Sequence, residues 1–127
     1  MALRCLIVDD SAGFLREACE LLEEEGIDVV GIASNGEEAV RQTWRLAPDV
    51  VLVDIDLGGE SGIATVRRLI DDDDPPEHAV ILISSHDPQE FAELVAASPA
   101  IGFIAKADLG AQAITALLDA RESADLS

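Results

Sequence analysis

Residues 50–60 read VVLVDIDLGGE: four aliphatic residues, two carboxylates one residue apart, then paired glycines. The aliphatic run has the length and the Val content of a strand covered on both faces. Packing gives such a strand no reason to end in Asp54 and Asp56, so these acids need another explanation.

Four more short apolar runs share the pattern: LRCLIV (3–8), IDVVGIA (27–33), AVILI (79–83) and IGFIA (101–105). Between them lie helical stretches. In 12–25, Leu15, Ala18, Cys19 and Leu22 recur at helical spacing, leaving Glu17 and Glu23–Glu25 to water. Asn35 to Glu38 and Asp87 to Glu90 have the form of capping boxes, the second with Pro88 at the first helical position. Further helices are expected at 61–70 and 109–121. Strand and helix alternate over short connections, which implies βαβ units and a parallel sheet with right-handed crossovers. The expected fold is α/β: a doubly wound five-stranded parallel sheet, flavodoxin-like in its 2-1-3-4-5 order, with helices on both faces.

In such a sheet ligands bind beyond the carboxyl ends of the strands, near the switch point between the first and third. The residues that follow the strands are Asp9-Asp10, Ser34-Asn35, Asp54, Ser84-Ser85 and Lys106. Asp9, Asp10 and Asp54 should therefore converge. Three carboxylates in one pocket repel each other, and a divalent cation relieves that repulsion. With only oxygen ligands to hand, Mg²⁺ is the expected ion, with Mn²⁺ or Ca²⁺ as substitutes. A cation, a Lys ammonium and a Ser hydroxyl around one carboxylate suit phosphoryl transfer, with Asp54 as a nucleophile that forms an aspartyl phosphate.

Composition agrees with one folded domain. The chain has 127 residues, 49% of them hydrophobic, and a formal charge of −18 from 26 acids and 8 bases. That charge argues against direct nucleic-acid binding and against an anionic membrane surface. No apolar run approaches the ~20 residues that span a bilayer, and the amino terminus does not read as a signal peptide. A cytoplasmic protein is the expectation. Cys5 and Cys19 read as reduced core residues, Trp44 as a packing residue, His78 as loop, and DDDDPP (71–76) as a solvated loop that ends a helix.

At these residues the sequence resembles the receiver domains of bacterial two-component response regulators. LIVDD resembles that family's amino-terminal acidic pair, VVLVDID its phosphoacceptor strand, ILISS the strand ending in a phosphoryl-contacting Ser or Thr, and GFIAK the strand ending in Lys. The resemblance covers residues 3–120, and the receiver domain is expected at 1–122, with 123–127 as a short tail. It implies that Asp54 accepts a phosphoryl group from a sensor histidine kinase. Asp10, Asp54 and the carbonyl of Asp56 would bind Mg²⁺, with Asp9 acting through a water. Ser84 and Lys106 would hold phosphoryl oxygens, Ser85 would leave room beside them, and Phe103 would be the switch aromatic whose rotamer follows Ser84. The resemblance also implies a switch and not an enzyme, with a phosphorylation-dependent homodimer as one outcome.

Some features depart from that pattern. Gly58-Gly59 stand where Pro-Gly is common, which suggests a looser loop. Asp56 and His86 fall at positions that tune the lifetime of the phosphoryl group. The chain stops at RESADLS, so the output, expected as transcription regulation through a LuxR-type DNA-binding domain or as a stand-alone receiver, is not legible. Two rival readings remain. Haloacid-dehalogenase-type phosphatases also use a strand ending in D-x-D, but their acidic pair comes last along the chain and here it comes first. A receiver-like interaction module that never accepts phosphate would be marked by a lost acceptor or Lys, and both are present. A flavin-type phosphate loop is excluded by two negative charges after the first strand.

Overall fold

The computed structural model describes residues 2–57, 59–70, 78–85, 89 and 92–126, with backbone alone at 60 and 122–126. Five strands form one parallel sheet: β1 (Arg4–Val8), β2 (Asp28–Ala33), β3 (Val50–Asp54), β4 (Ala79–Ser84) and β5 (Gly102–Ala105). Their spatial order is β2-β1-β3-β4-β5, so β1 and β3 are neighbours across the switch point as expected. The helices are α1 (Ala12–Glu24), α2 (Gly36–Leu46), α3 (Gly62–Leu69), α4 (Ala92–Ala97) and α5 (Ala111–Leu126). The last runs beyond the expected end at 121. A 3-10 turn at Lys106–Asp108 joins β5 to α5.

The period of two along each strand divides the core into two layers. Cys5 and Ile7, Val50 and Leu52, Ile81 and Ile83, and Ile104 pack on one face with Leu15, Ala18 and Leu22 of α1 and Ile114 of α5. Leu6 and Val8, Val51 and Val53, and Val80 and Leu82 pack on the other with Ala39 of α2 and Ile63, Val66 and Leu69 of α3. Both faces of β1, β3 and β4 are thus covered, which is why those strands are near-continuous aliphatic runs. β2 is the sheet edge, as the expected order places it, but it is less covered than its Val and Ile content suggests: only Ala33 is buried, and Ile32 is 45% exposed.

Helix ends follow their sequence signals. Ser11, Asn35 and Ser61 accept from the backbone N–H groups of Phe14, Glu38 and Ala64, three residues on in each case. The Glu38 carboxylate accepts from Ser34 Oγ at 3.1 Å. Asp87, Pro88 and Glu90 of the second box, and the DDDDPP run, lie outside the described residues. Trp44 is not a packing residue as its helical position suggests, because it is 76% exposed on α2. Burial pushes the Cys5 thiol up to about 12, with Cys19 adding to the rise, and both cysteines are free. His78 is half-buried, with Nε2 2.9 Å from the Leu69 carbonyl, and burial lowers its pKa.

One cap reaches across the fold. Glu25, just past α1, accepts at 2.6 Å from the backbone N–H of Ala111, the first residue of α5. It thereby ties the segment that follows Lys106 to α1. Glu25→Ala leaves that N–H to water and should lower the unfolding free energy by about 1 kcal/mol, read as a lower urea midpoint with an unchanged slope.

Candidate functional site

The two-residue alternation that builds the core also builds the site. Continuing Cys5 and Ile7 by one more step along β1 brings Asp9 to the α1/α5 face, and continuing Val50 and Leu52 brings Asp54 there. Lys106, two residues after Ile104, follows the same parity. At the carboxyl end of the sheet, Asp9, Asp10 and Asp54 each place a carboxylate oxygen within 4.8 Å of the others. Asp9 and Asp54 are buried and Asp10 is exposed, so the cluster opens to solvent on one side.

Among the described residues, Lys106 supplies the positive charge that pairs with these acids. Its ammonium lies 2.6 Å from Asp9 Oδ2 and 3.1 Å from Asp54 Oδ2. The contact to Asp54 is a directed hydrogen bond. The contact to Asp9 is close but poorly aligned, so the fully buried Asp9 Oδ2 has charge compensation without a proper hydrogen bond. Backbone amides hold the remaining oxygens. Ser11 N–H donates to Asp9 Oδ1 at 2.8 Å, and Asp56 N–H donates to Asp54 Oδ1 at 3.1 Å.

These surroundings set the charge states. Burial raises the Asp54 pKa and the Asp9 charge adds to it, against the opposing pull of the Asp56 amide and of Lys106. For Lys106, burial works against the charge, but Asp9 and Asp54 outweigh it and raise its pKa. The stabilisation from a raised lysine is present throughout neutral pH and is lost only as pH rises through that elevated value.

The backbone pairs again just after Asp54. Asp56-Leu57 pairs antiparallel with Glu60-Ser61, and Gly59 takes a φ of +100°, a conformation that favours glycine. α3 then starts against the end of β3. Gly62 N–H donates to the Ile55 carbonyl at 2.9 Å, and a Cβ at Gly62 would strike the backbone of Asp54 and Ile55. Backbone therefore fixes Asp54 on both sides.

The other expected residues are placed less centrally. Ser84 is fully buried at the end of β4, in the parity of Val80 and Leu82, while Ser85 is exposed. Phe103 is half-buried against that same layer and lines a groove between α4 and α5 with Val95 and Leu117. The Asp56 side chain is exposed and does not join the three clustered acids. His86 lies outside the described residues. Two contributors escaped the sequence analysis: the Asp56 amide and the Phe14 ring, whose centroid is 4.2 Å from Lys106 Nζ. The available signal was an aromatic residue on α1 just beside the Leu15–Ala18–Cys19–Leu22 stripe.

All the clustered donors are carboxylate oxygens, one of them buried without a directed hydrogen bond, and this set fits a hard divalent cation. Among the described residues no helix is long and apolar enough to cross a membrane.

A family model for the response regulator receiver domain matches residues 5–119. Among curated proteins, the protein-glutamate methylesterase/protein-glutamine glutaminase of Idiomarina loihiensis is 41% identical over 86 residues, which is 67% of this chain and 22% of that protein. The protein of the same description from Alkalilimnicola ehrlichii is 46% identical over 71 residues, 55% of this chain and 18% of that protein. The chain therefore spans about a fifth of the length of these relatives. Among solved structures, a two-component response regulator of the LuxR family from Aurantimonas has a TM-score of 0.82 at 28% identity, covering 94% of this chain and 87% of that one. The response regulator domain of Thermotoga maritima CheB has a TM-score of 0.69 at 27% identity, covering 97% and 93%.

Removing the ammonium should be felt in the resting protein. In metal-free buffer Lys106→Met leaves Asp9 and Asp54 facing each other, and should cost on the order of 2 kcal/mol in a urea titration, less than for a fully buried pair. Asp54→Asn should cost less, because burial and Asp9 already disfavour its charge.

Proposed function

The chain belongs to the response regulator receiver domain family, and on that premise we propose that it is a phosphoacceptor switch in which Asp54 takes a phosphoryl group from a sensor histidine kinase. The observation that carries this reading is the convergence of Asp9, Asp10 and Asp54 with Lys106 at the carboxyl end of the sheet. The haloacid-dehalogenase alternative is set aside, because the family match runs through the whole motif series from Cys5 to Asp119.

In the proposed reaction a carboxylate oxygen of Asp54 attacks phosphorus, and an O–P bond forms as the bond from phosphorus to the donor's nitrogen breaks. The leaving imidazole keeps the electron pair. Asp54 is suited to this role because the Asp56 amide and the Gly62 contact fix its orientation. Asp10 and Asp54, with the Asp56 carbonyl and with Asp9 through water, would hold Mg²⁺. Bound there, Mg²⁺ supplies charge neutralisation for the acids and the transferring group. Lys106 is positioned to exchange its hydrogen bond on Asp54 for one on a phosphoryl oxygen, and Ser84 would donate a second bond. The exposed Ser85 leaves space beside them.

Phosphorylation adds roughly 1–2 negative charges at the sheet end. Drawing Ser84 toward them would free room for Phe103 to turn inward, altering the groove it lines between α4 and α5. A tenfold shift between two such arrangements needs only ~1.4 kcal/mol of differential stabilisation. A phosphorylation-dependent homodimer is a further outcome of such a switch. The output we propose is regulation of a further domain or partner. The similarity to LuxR-family regulators supports transcription control, and the methylesterase relatives support control of an enzymatic domain. Asp56 and His86 are proposed to set how long the phosphoryl group lasts.

Incubation with acetyl phosphate and Mg²⁺ should add the mass of one phosphoryl group to the intact protein. EDTA or Asp54→Ala should abolish the gain, and the adduct should decay at a different rate in an Asp56→Asn, His86→Ala double variant. No adduct under rapid quenching would overturn the switch, and steady phosphate release would revive the phosphatase.

A further inference from the structure

We propose that Phe14 is a positioning residue for Lys106, holding its ammonium over the reaction site through the face of the aromatic ring. The inference rests on the phosphoacceptor reading above and adds a residue that the acidic motifs do not contain.

Lys106 Nζ lies 4.2 Å from the Phe14 centroid, within the range where a ring quadrupole attracts a cation. Phe14 is half-buried and packs against the α1/α5 layer of the core, so its ring cannot swing freely away. Its backbone is tied into the same site: Phe14 N–H donates to Ser11 Oγ at 3.3 Å, and Ser11 N–H donates to Asp9 Oδ1 at 2.8 Å. One turn of α1 thus fixes a carboxylate on one side of the ammonium and an aromatic face on another, while Asp54 occupies a third.

The chemistry makes this third partner useful. A lysine stem carries about 2 kcal/mol of rotamer entropy, so an ammonium without neighbours is poorly placed. In the resting state Asp9 and Asp54 place it. Once Asp54 carries a phosphoryl group, and once the acids are shared with a divalent cation, those two contacts must weaken. The ring is the contact that neither event consumes. Phe14 therefore keeps Lys106 at the site while its charge passes from the carboxylates to the phosphoryl oxygens. An aliphatic residue could fill the same space but would offer the ammonium no attraction.

The test compares Phe14→Leu and Phe14→Met, which keep an apolar side chain, with Phe14→Trp, which keeps the ring face. Rates of phosphorylation by acetyl phosphate are followed by intact mass at fixed Mg²⁺, with urea midpoints confirming that each variant is folded at the assay temperature. Loss of the ring should slow labelling about three- to tenfold, and Phe14→Trp should label at the wild-type rate or faster. A readout independent of activity is the ring-current upfield shift of the Lys106 ε-methylene protons in ¹H–¹³C spectra, present in the wild type and absent in both aliphatic variants. Equal labelling rates in wild type and the aliphatic variants, or equal slowing in Phe14→Trp, would overturn the proposal. Wild-type protein that does not label at all marks the failure of the phosphoacceptor reading itself and takes this inference with it. An unshifted Lys106 in a wild type that labels normally overturns the inference alone.

Discussion

Everything at the carboxyl end of this sheet depends on one charge balance: three aspartates within 4.8 Å of each other and a single lysine among them. Two of the acids are buried, where an uncompensated charge is costly. Lys106 compensates Asp9 and Asp54 at once, so the pocket can exist before any ligand arrives. The compensation is incomplete. Asp9 Oδ2 has no directed hydrogen bond, and burial with the Asp9 charge raises the Asp54 pKa. An incompletely balanced pocket of hard oxygen donors fits a divalent cation, and on the proposed reading the fixed carboxylate of Asp54 would act beside it as the nucleophile.

The sheet makes this arrangement rigid. Residues of one parity along β1 and β3 bury Cys5, Ile7, Val50 and Leu52 and then deliver Asp9 and Asp54, so the alternation that packs the core also aims the acids. The other parity leads to Ser84 and toward Phe103, which packs on the opposite layer. The acids and Phe103 thus belong to opposite layers of the sheet, and on the proposed reading a change at Asp54 would reach the α4/α5 groove through β4. Backbone contacts complete the frame: Gly62 admits α3 to the end of β3, and Glu25 links α1 to the start of α5.

Much of this was legible in the sequence, for physical reasons. Fully covered strands must be aliphatic, so β1, β3 and β4 announced themselves, and their order placed the three aspartates together. Lys106 gained meaning from standing after the last strand. The misses share a cause as well. Periodicity reports the side of a helix and not its neighbours, so Trp44 read as packed when it is exposed, and Phe14, beside the buried stripe of α1, was not singled out. Backbone donors leave no mark in a sequence. The amide of Asp56 therefore went unseen while its side chain, which is exposed, drew the attention. The short antiparallel pair after Asp54 was hidden because two-residue strands carry no pattern.

The account makes Asp54, alone among four neighbouring acids, the residue that takes the phosphoryl group, and one measurement addresses that choice. Protein phosphorylated with acetyl phosphate in Mg²⁺ is reduced with borohydride, which converts an acyl phosphate into an alcohol, and the peptides are then sequenced by mass spectrometry. The prediction is homoserine at position 54 and unmodified aspartate at 9, 10 and 56. Reduction at Asp9, Asp10 or Asp56 with Asp54 intact would contradict the account.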